Sequence, residues 1–356
     1  MSEAGTAAPS LAELTTLRVG GHADRVVNAL DTAQLVQAVA AADHEGRPVL
    51  LVGGGSNLLV DDRGVDATVV RVLSRGLRWD PVDPVDPVDP AQGRPDQVLL
   101  TAAAGESWEL LVEQAVHRRA RGVEALAGIP GSVGATPVQN VGAYGQDVAQ
   151  TIEQVRVWDR RAGRERVLSA QECGYGYRTS RFKADPAGFV VLEVTFRLDL
   201  APVSGPVRYA ELARALGVEE GDGAPLAAVR QTVLGLRRAK GMVLDGDDHD
   251  TWSAGSFFTN PVLGSAAQLP DGAPRFPAED GVKTSAAWLV EHAGFGRGYG
   301  LPGPASLSTK HTLALTNRGD ATSDDLLALA RTVREGVRAR FGITLVNEPV
   351  LVGCSL

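Results

Sequence analysis

The strongest constraint on the fold is a twenty-residue segment, 126–145, that is rich in glycine and carries no charged side chain. Uninterrupted loops of this length inside a domain are usually functional or disordered. This one reads LAGIPGSVGATPVQNVGAYG and is too apolar for disorder. We therefore expect an ordered segment, either lining a bound group with its backbone or forming a structural Ω-loop.

A second glycine-rich segment, VLLVGGGSNLLV at 49–60, predicts a strand that runs into a polar turn. The turn residues are Gly53, Gly54, Gly55, Ser56 and Asn57. Glycines let backbone N–H groups approach an anion, and the two polar side chains add contacts. The segment is not a Walker loop, because no Gly-Lys-Ser/Thr follows, and Leu58 occupies the third glycine position of a dinucleotide fingerprint. A phosphate cradle and a plain tight turn are equally consistent with this segment alone.

Together, the two segments favour the flavin dinucleotide FAD, with the turn cradling its pyrophosphate and the long loop lining its ring. The loop residues predicted to bind the cofactor are Gly131, Ser132, Gly134, Ala135, Gln139, Asn140, Gly142, Ala143 and Tyr144.

Helical and strand patterns alternate along the chain and predict an α/β fold. Helices are expected at 31–42 with Asp31 as N-cap, at 107–121 from Ser107, around 225–239, and after an N-cap at Ser323. Strands are expected at 49–52, 68–72, 98–103, 155–158, 189–198 and 344–352. A shift to more polar composition indicates a domain boundary near 205.

A tandem repeat, DPVDPVDPVDP at 80–90, interrupts this pattern between two predicted strands. Proline at every third position excludes a regular helix and a central strand. We interpret the repeat as an extended, polyproline-like surface insertion without a function of its own.

Charge and cysteine content exclude several protein classes. The net charge of −8 argues against a broad nucleic-acid-binding face but leaves room for a local basic pocket. Two cysteines, Cys173 and Cys354, support neither a disulfide framework nor a zinc cluster, and we expect no metal. Neither a signal-peptide pattern nor a long apolar run is found, so we expect a cytoplasmic protein without a membrane partner.

Three single residues are candidates for chemistry, each with a plainer alternative. Arg178, in GYGYRTSRFK, has the fork geometry that holds a carboxylate, but surface arginines are commoner. Ser256, in SAGSFFTNP, is either a proton donor sheltered from water or a loop serine packed beside core phenylalanines. Glu348, in the apolar LVNEPVLVG, is costly to bury unless paired or protonated, and is otherwise an outward-facing edge residue.

In this order, the segments resemble the UDP-N-acetylenolpyruvoylglucosamine reductase (MurB) family of flavoenzymes. The matching stretches are TTLRVGGHAD (15–24), VLLVGGGSNLLV, GIPGSVGATPVQNVGAYG, GYGYRTSRFK, SAGSFFTNP, KTSAAWLVEHAG (283–294) and LVNEPV, and they span the chain from about residue 15 to 353. The resemblance implies a vanillyl-alcohol-oxidase-type FAD-binding fold of two subdomains and a separate α/β substrate-binding domain. The expected divisions are a first FAD-binding subdomain (10–78), the insertion (79–97), a second FAD-binding subdomain (98–205) that the C-terminal strand (341–356) rejoins, and the substrate-binding domain (206–340).

The resemblance also implies a reaction. NADPH would reduce non-covalently bound FAD, and flavin N5 would then deliver hydride to C3 of the enolpyruvyl group of a UDP-sugar substrate. Arg178 and Glu348 match the residues that stabilise the resulting enolate, and Ser256 matches the acid that protonates C2. The product, UDP-N-acetylmuramate, is a peptidoglycan precursor.

Substrate-binding candidates follow from the same resemblance. Tyr209 and Lys240 match the tyrosine and lysine of the subtype with a substrate-covering tyrosine loop, although Lys240 is also consistent with an ordinary basic helix end. Asn260 and Lys283 are further candidates, and we expect a monomer. Two positions stay open: Thr15 replaces a usual asparagine, and a polar substrate contact falls within 308–311 without a choice among its residues.

Two other function classes remain possible on sequence grounds. The first is a sugar or alcohol flavin oxidase of the same FAD fold. Such enzymes often attach the flavin through histidine or cysteine, for which His22 and Cys173 are poor candidates because neither lies in the expected glycine loop. The second is a non-catalytic flavin- or nucleotide-binding protein, in which the three candidate catalytic residues need not lie together.

Overall fold

A computed structural model describes residues 10–82 and 96–356. The chain divides into two units. The C-terminal unit comprises Met1–Arg25, Gly54–Asp66 and Arg238–Leu356, and the central unit comprises Val26–Gly53 and Ala67–Arg237. The division after Arg237 differs from the boundary predicted near 205. Residues 202–237 belong to the central unit because they bond to it, for example through the ion pair between Arg230 and Glu109.

The helices of the described residues are α1 (Thr32–His44), α2 (Trp108–His117), α3 (Arg181–Ala184), α4 (Ala210–Leu216), α5 (Leu226–Ala239), α6 (Ala286–His292) and α7 (Ser323–Phe341). The strands up to residue 200 are β1 (Ala23–Ala29), β2 (Val49–Val52), β3 (Leu58–Val60), β4 (Val65–Val72), β5 (Leu77–Pro81), β6 (Gln97–Ala103), β7 (Ala120–Arg121), β8 (Gly142–Ala143), β9 (Gln146–Asp147), β10 (Ile152–Asp159), β11 (Arg164–Ser169) and β12 (Phe189–Leu200). The later strands are β13 (Val262–Leu263), β14 (Phe276–Ala278), β15 (Gly281–Lys283), β16 (Ala305–Leu307), β17 (Leu315–Asn317) and β18 (Val350–Val352). Along residues 10–82 and 96–356, none of the helices combines the length and apolar character needed to span a membrane.

The central unit is built on an antiparallel sheet in the order β11-β10-β12-β6-β5, with β7 added to the end of β12. The central strand β12 is buried along most of its length, whereas β10 largely alternates between buried and more exposed residues. In the core beside this sheet, the Trp108 and Phe196 rings lie 5.8 Å apart. The indole of Trp108 also donates a hydrogen bond to the carbonyl of Leu126, at 3.0 Å, and so attaches helix α2 to the start of the long loop. A second sheet has the strand order β1-β4-β2, and its parallel strands β2 and β4 include the strand β2 that ends at Val52, immediately before Gly53.

The repeat begins as part of the sheet. Asp80 and Pro81 end strand β5 and pair with Leu99 and Val98 of β6. Strand β5 is an edge strand, where a proline removes no needed ladder bond. The insertion predicted at 79–97 is therefore bounded by strand residues at both ends, and its remainder, 83–95, lies outside the described residues.

The C-terminal unit is organised around α7. The predicted stripe of Leu326, Ala330, Val333 and Val337 is fully buried in a core shared with Phe257 and Phe258, α6 and the β16–β17 hairpin. Strand β18 pairs in parallel with β3 of the same unit, with Val350 opposite Leu58. The expectation that 341–356 rejoins 98–205 is therefore corrected.

Three predicted element boundaries were wrong. The helix expected over 107–121 ends at His117, because Arg119 adopts a left-handed conformation with φ 59° and the chain then forms β7. The N-cap of α7 is Thr322 rather than Ser323, which is the first helical residue. The final strand covers only Val350–Val352, so Glu348 precedes it instead of lying inside it.

Candidate active site

Hydrogen bonds to neighbouring chain segments hold the long loop of the central unit in place. Asn140 adopts a left-handed conformation with φ 46°, and both ends of its amide are used. Its Nδ2 donates to the carbonyl of Gly176 at 3.1 Å, and its Oδ1 accepts from the amide of Ala149 at 3.1 Å. Asn140 therefore holds two chain segments in a fixed arrangement, and its buried amide is part of the loop's structure.

The two segments predicted to bind the cofactor meet within the central unit at Gly53. A Cβ built on Gly53 would lie 2.2 Å from the hydroxyl oxygen of Ser132, which is buried. Glycine thus lets the end of β2 approach the loop closely. This meeting point combines glycine backbone with a neutral hydroxyl, next to a loop without charged side chains, and such a surface suits a pyrophosphate and a polar ring.

Two further loop glycines are required by packing against the protein itself. A Cβ on Gly134 would lie 2.5 Å from that of Ala104, and the amide of Gly134 already donates to the carbonyl of Ala104 at 2.8 Å. A Cβ on Gly142 would lie 2.8 Å from that of Asp147 across the β8–β9 hairpin. These glycines do not need a ligand to explain them, and the Gly134 amide is not available to one.

Arg178 is positioned by the same loop. Its guanidinium donates to the carbonyls of Asn140, at 3.3 Å, and Gly142, at 2.8 Å, while its backbone has φ 53°. Both acceptors are backbone carbonyls of the loop, so they orient the guanidinium relative to it. The half-buried Arg178 therefore presents a positive charge at the end of the predicted cofactor loop.

Two tyrosines pack edge to face beside this loop. The rings of Tyr144 and Tyr209 lie 5.3 Å apart at 84°, and burial raises the pKa of Tyr144 to about 12. Tyr209 immediately precedes α4 and is 42% exposed. The predicted substrate residue Tyr209 is thus adjacent to the predicted cofactor residue Tyr144.

In the C-terminal unit, Ser256 and Glu348 lie on neighbouring chain segments. The amide of Glu348 donates to the carbonyl of Phe257 at 2.8 Å, and Asn347 forms a bridge with Phe258. Both phenylalanines are only 1% exposed, whereas Ser256 and Glu348 are half-buried. The structure thus brings together two of the three predicted catalytic residues on the edge of an apolar core.

Hydrogen bonds attach the turn at 54–57 to the Glu348 segment. Asn57 donates from Nδ2 to the carbonyl of Glu348, at 3.4 Å, and accepts from the amide of Val350, at 2.9 Å. Gly55 has φ 62° and lies so close to the carbonyl of Leu14 that a Cβ would overlap it. Asn57 therefore holds the Glu348 segment in place, a role that the sequence did not reveal.

Thr15, which replaces the usual asparagine of the family, is buried and uses its hydroxyl locally. Its Oγ1 donates to the carbonyl of Val19 at 3.1 Å. This bond stabilises a turn that includes Arg18, whose guanidinium lies 3.6 Å from the ring centre of Trp252.

The remaining substrate candidates, Asn260, Lys283 and Lys240, lie at the ends of different elements. Asn260 accepts from the amide of Ala286 at 2.9 Å and so caps the start of α6. Lys283 ends β15, opposite Val262. Lys240 directly follows α5, where the helix-end interpretation predicts a basic residue. Within the described part of the chain, no group of three or more histidine, cysteine, aspartate or glutamate side chains could hold a metal ion.

Sequence reasoning missed His311. Its Nε2 lies 3.2 Å from Oγ of Ser256, and the residue falls within 308–311, where the sequence indicated a polar contact without selecting a residue. No periodicity links positions 256 and 311, so only the structure could identify the pair.

Comparisons with known proteins identify the family and the type of cofactor. Residues 23–169 match a family model described as an FAD binding domain, and residues 247–352 match that of the UDP-N-acetylenolpyruvoylglucosamine reductase C-terminal domain. The chain is 54% identical to the UDP-N-acetylenolpyruvoylglucosamine reductase of Streptomyces coelicolor, covering 97% of this chain and 90% of that protein. It is also 54% identical to that of Thermobifida fusca, with 97% of each covered.

A solved structure is similar over the same length. It is the crystal structure of UDP-N-acetylenolpyruvylglucosamine reductase (MurB) from Thermus caldophilus, with 26% identity, 97% of both chains covered and a TM-score of 0.62. The predicted fold class and the predicted cofactor, FAD, are confirmed by these matches. The chain belongs to the UDP-N-acetylenolpyruvoylglucosamine reductase family of FAD-containing oxidoreductases.

Proposed function

We propose that the protein reduces the enolpyruvyl group of UDP-N-acetylglucosamine enolpyruvate to UDP-N-acetylmuramate, with NADPH as reductant. The observation that carries the proposal is the pairing of the Ser256–Phe258 segment with Asn347 and Glu348. It brings the segments that carry a hydroxyl and a carboxylate together beside an apolar core, and both groups are of the kind that transfers protons in catalysis. We expect the enzyme to act as a monomer in the cytoplasm and to serve peptidoglycan precursor synthesis.

Bound FAD would supply hydride transfer, and the chain's own residues supply charge, orientation and a proton. Arg178 carries the positive charge that favours a developing enolate, and the carbonyls of Asn140 and Gly142 hold its guanidinium in place. Ser256 gives its hydroxyl proton to C2 of the substrate. Glu348, on the neighbouring segment, orients or shares a proton beside the developing enolate. The buried rings of Phe257 and Phe258 keep bulk water from competing for the carbanion.

Substrate binding is assigned to four further residues. Tyr209, exposed and packed edge to face on Tyr144, is proposed to cover the nucleotide, as in the subtype with a tyrosine loop. Lys240 would meet the diphosphate as a point charge. Asn260 has its oxygen committed to Ala286, so its contribution to substrate would come from the Nδ2 group, and Lys283 is a further cation.

The proposal is tested by separating the two half-reactions without oxygen. NADPH should bleach the yellow flavin, and subsequent mixing with the enolpyruvyl sugar nucleotide should restore the colour. In Ser256→Ala, we expect bleaching at the normal rate and recovery slowed by about 10²–10⁴-fold, the usual contribution of a general acid. Ser265→Ala, an exposed serine at a short turn of the same unit, is the matched control and should behave as wild type.

Equal slowing of both half-reactions by Ser256→Ala would contradict the assignment of the proton to Ser256. Failure of the sugar nucleotide to reoxidise wild-type enzyme would contradict the function itself. The oxidase alternative is addressed by denaturing the protein, since colour that stays with the chain would indicate a covalent flavin. We expect release, because burial raises the pKa of the Cys173 thiol and makes it a poor nucleophile.

A further inference from the structure

One residue outside the proposed catalytic group contacts Ser256 directly. Nε2 of His311 lies 3.2 Å from Oγ of Ser256, and both side chains belong to the C-terminal unit. The two chain segments are joined next to this contact, because the amide of Phe257 donates to the carbonyl of Leu313 at 2.7 Å. The closeness of histidine and serine is therefore set by backbone pairing rather than by two flexible side chains.

The turn that presents His311 is held by several polar contacts. The hydroxyl oxygen of Ser308, which is fully buried, accepts from the amides of Lys310, at 3.0 Å, and His311, at 3.3 Å. Thr309 donates to the buried carboxylate of Asp250 from its amide, at 2.9 Å, and from its hydroxyl, at 2.5 Å. Such a turn limits the positions that the imidazole can adopt.

The sense of the hydrogen bond matters for what Ser256 can do. A serine hydroxyl has one hydrogen and two acceptor lone pairs, and an imidazole nitrogen either donates or accepts. If Nε2 accepted, the serine hydrogen would point at the ring and away from any substrate. If Nε2 donates, the serine hydrogen is free to point elsewhere.

We propose that His311 is a positioning residue whose Nε2–H donates to Oγ of Ser256 and thereby aims the serine hydrogen at the substrate. The inference rests on the proposed function. In the step concerned, the O–H bond of Ser256 breaks as the new C2–H bond forms, and the charge that develops on Oγ is stabilised by the Nε2–H donor. Ser256 then regains its proton from water.

Two variants of matched size test this role. His311→Leu removes the donor, whereas His311→Gln supplies an amide N–H of similar reach. We expect His311→Leu to slow reoxidation of the NADPH-reduced enzyme by the sugar nucleotide about 10²–10³-fold, the cost of losing one such donor, with flavin bleaching unchanged. His311→Gln should recover most of the lost rate.

Three kinetic results would overturn the proposal: wild-type reoxidation in His311→Leu, equal slowing of both half-reactions, or a His311→Gln variant as slow as His311→Leu. Equal slowing would mean that the histidine only supports the fold. The split between half-reactions is thus a readout that a merely structural role would not produce.

A second measurement is independent of turnover. In protein labelled with ¹⁵N-histidine, NMR reports which ring nitrogen carries a proton, and the His311 signals are identified by their loss in His311→Gln. We expect a proton on Nε2 and a shift of that signal in Ser256→Ala, whereas a proton on Nδ1 alone would overturn the proposal. If wild-type enzyme fails to reduce the sugar nucleotide, the proposed function fails, and this spectrum still decides whether His311 donates to Ser256.

Discussion

The atoms nearest to each glycine decide whether it can be replaced in the two segments predicted to bind the cofactor. At Gly134, a methyl group would meet Cβ, Cα and the carbonyl oxygen of Ala104 within 3.0 Å, so the backbone itself would have to move. At Gly53, the closest atom is the hydroxyl oxygen of Ser132 at 2.2 Å, which can rotate away, and Cβ of Ser132 lies further off at 3.3 Å. The two positions carry the same residue for different reasons and should respond differently to substitution.

We expect Gly134→Ala to lower the free energy of unfolding by about 1–3 kcal/mol, as overpacked sites do. The matched control is Gly235→Ala, an exposed glycine inside α5 with open space around its Cα. This change should raise the free energy of unfolding by up to about 1 kcal/mol, because alanine is the better helix former. Urea unfolding of both variants checks the pair, and equal effects would argue against the packing explanation.

Residue-scale conformation also explains how Arg178 is held. Its left-handed backbone turns the side chain back to the carbonyls of Asn140 and Gly142, and Asn140 is itself left-handed. Non-glycine residues rarely adopt this conformation, and they persist only where surrounding contacts require it. The two left-handed positions therefore coincide with a residue predicted to bind the cofactor, Asn140, and a residue predicted to be catalytic, Arg178.

At the scale of elements, α7 is the best specified part of the C-terminal unit. Acidic residues occupy its first turn, arginines its last turn, and Gly342 ends it in a left-handed conformation with φ 70°. Its start is a capping box, in which Thr322 and Asp325 exchange side-chain and backbone hydrogen bonds.

Removing the cap should weaken this helix in a pH-dependent way. We expect Thr322→Ala to lower the free energy of unfolding by about 1 kcal/mol near neutral pH. Hydrogen bonds from Thr322 lower the pKa of Asp325, so their stabilising effect is present above the unfolded carboxylate's pKa of about 4 and is lost as the pH falls below it. The difference between wild type and variant should therefore shrink in acid, as followed by urea unfolding. A difference that grows in acid would contradict the capping explanation.

For the whole molecule, the DPV repeat poses the question of whether every part of the chain serves the reaction. Strands β5 and β6 pair up to Pro81 and Val98, and the amide of Val82 donates to the carbonyl of Gln97. A short turn can therefore close the same hairpin.

We predict that replacing 83–95 with Asn-Gly leaves flavin content and both half-reactions unchanged. The shorter connection should alter the free energy of unfolding by no more than about 1 kcal/mol, because loop-closure entropy depends weakly on length. Absorbance of the purified protein and anaerobic mixing check the result. Loss of flavin or of reoxidation would show that the repeat has a function after all.

The local sequence was sufficient to predict the elements with a strong hydrophobic pattern and the order of the long uncharged loop. Helix α1 and the buried stripe of α7 appear at the predicted positions because their apolar residues recur with the helical period, and strand β2 appears where a short apolar run predicted it. The long uncharged loop is ordered, and the resemblance led to the correct family and cofactor. The errors fell at element ends, where a left-handed residue such as Arg119 or a neighbouring cap such as Thr322 decides the boundary.

Only the tertiary structure decided which distant residues act together. Ser256 and His311 are 55 positions apart, and Asn57 reaches the carbonyl of Glu348 across 291 positions. Hydrophobic period and turn chemistry act over a few residues, so they cannot specify such pairings. These contacts depend on the register in which chain segments meet, and that register is set by packing of the whole unit around its core.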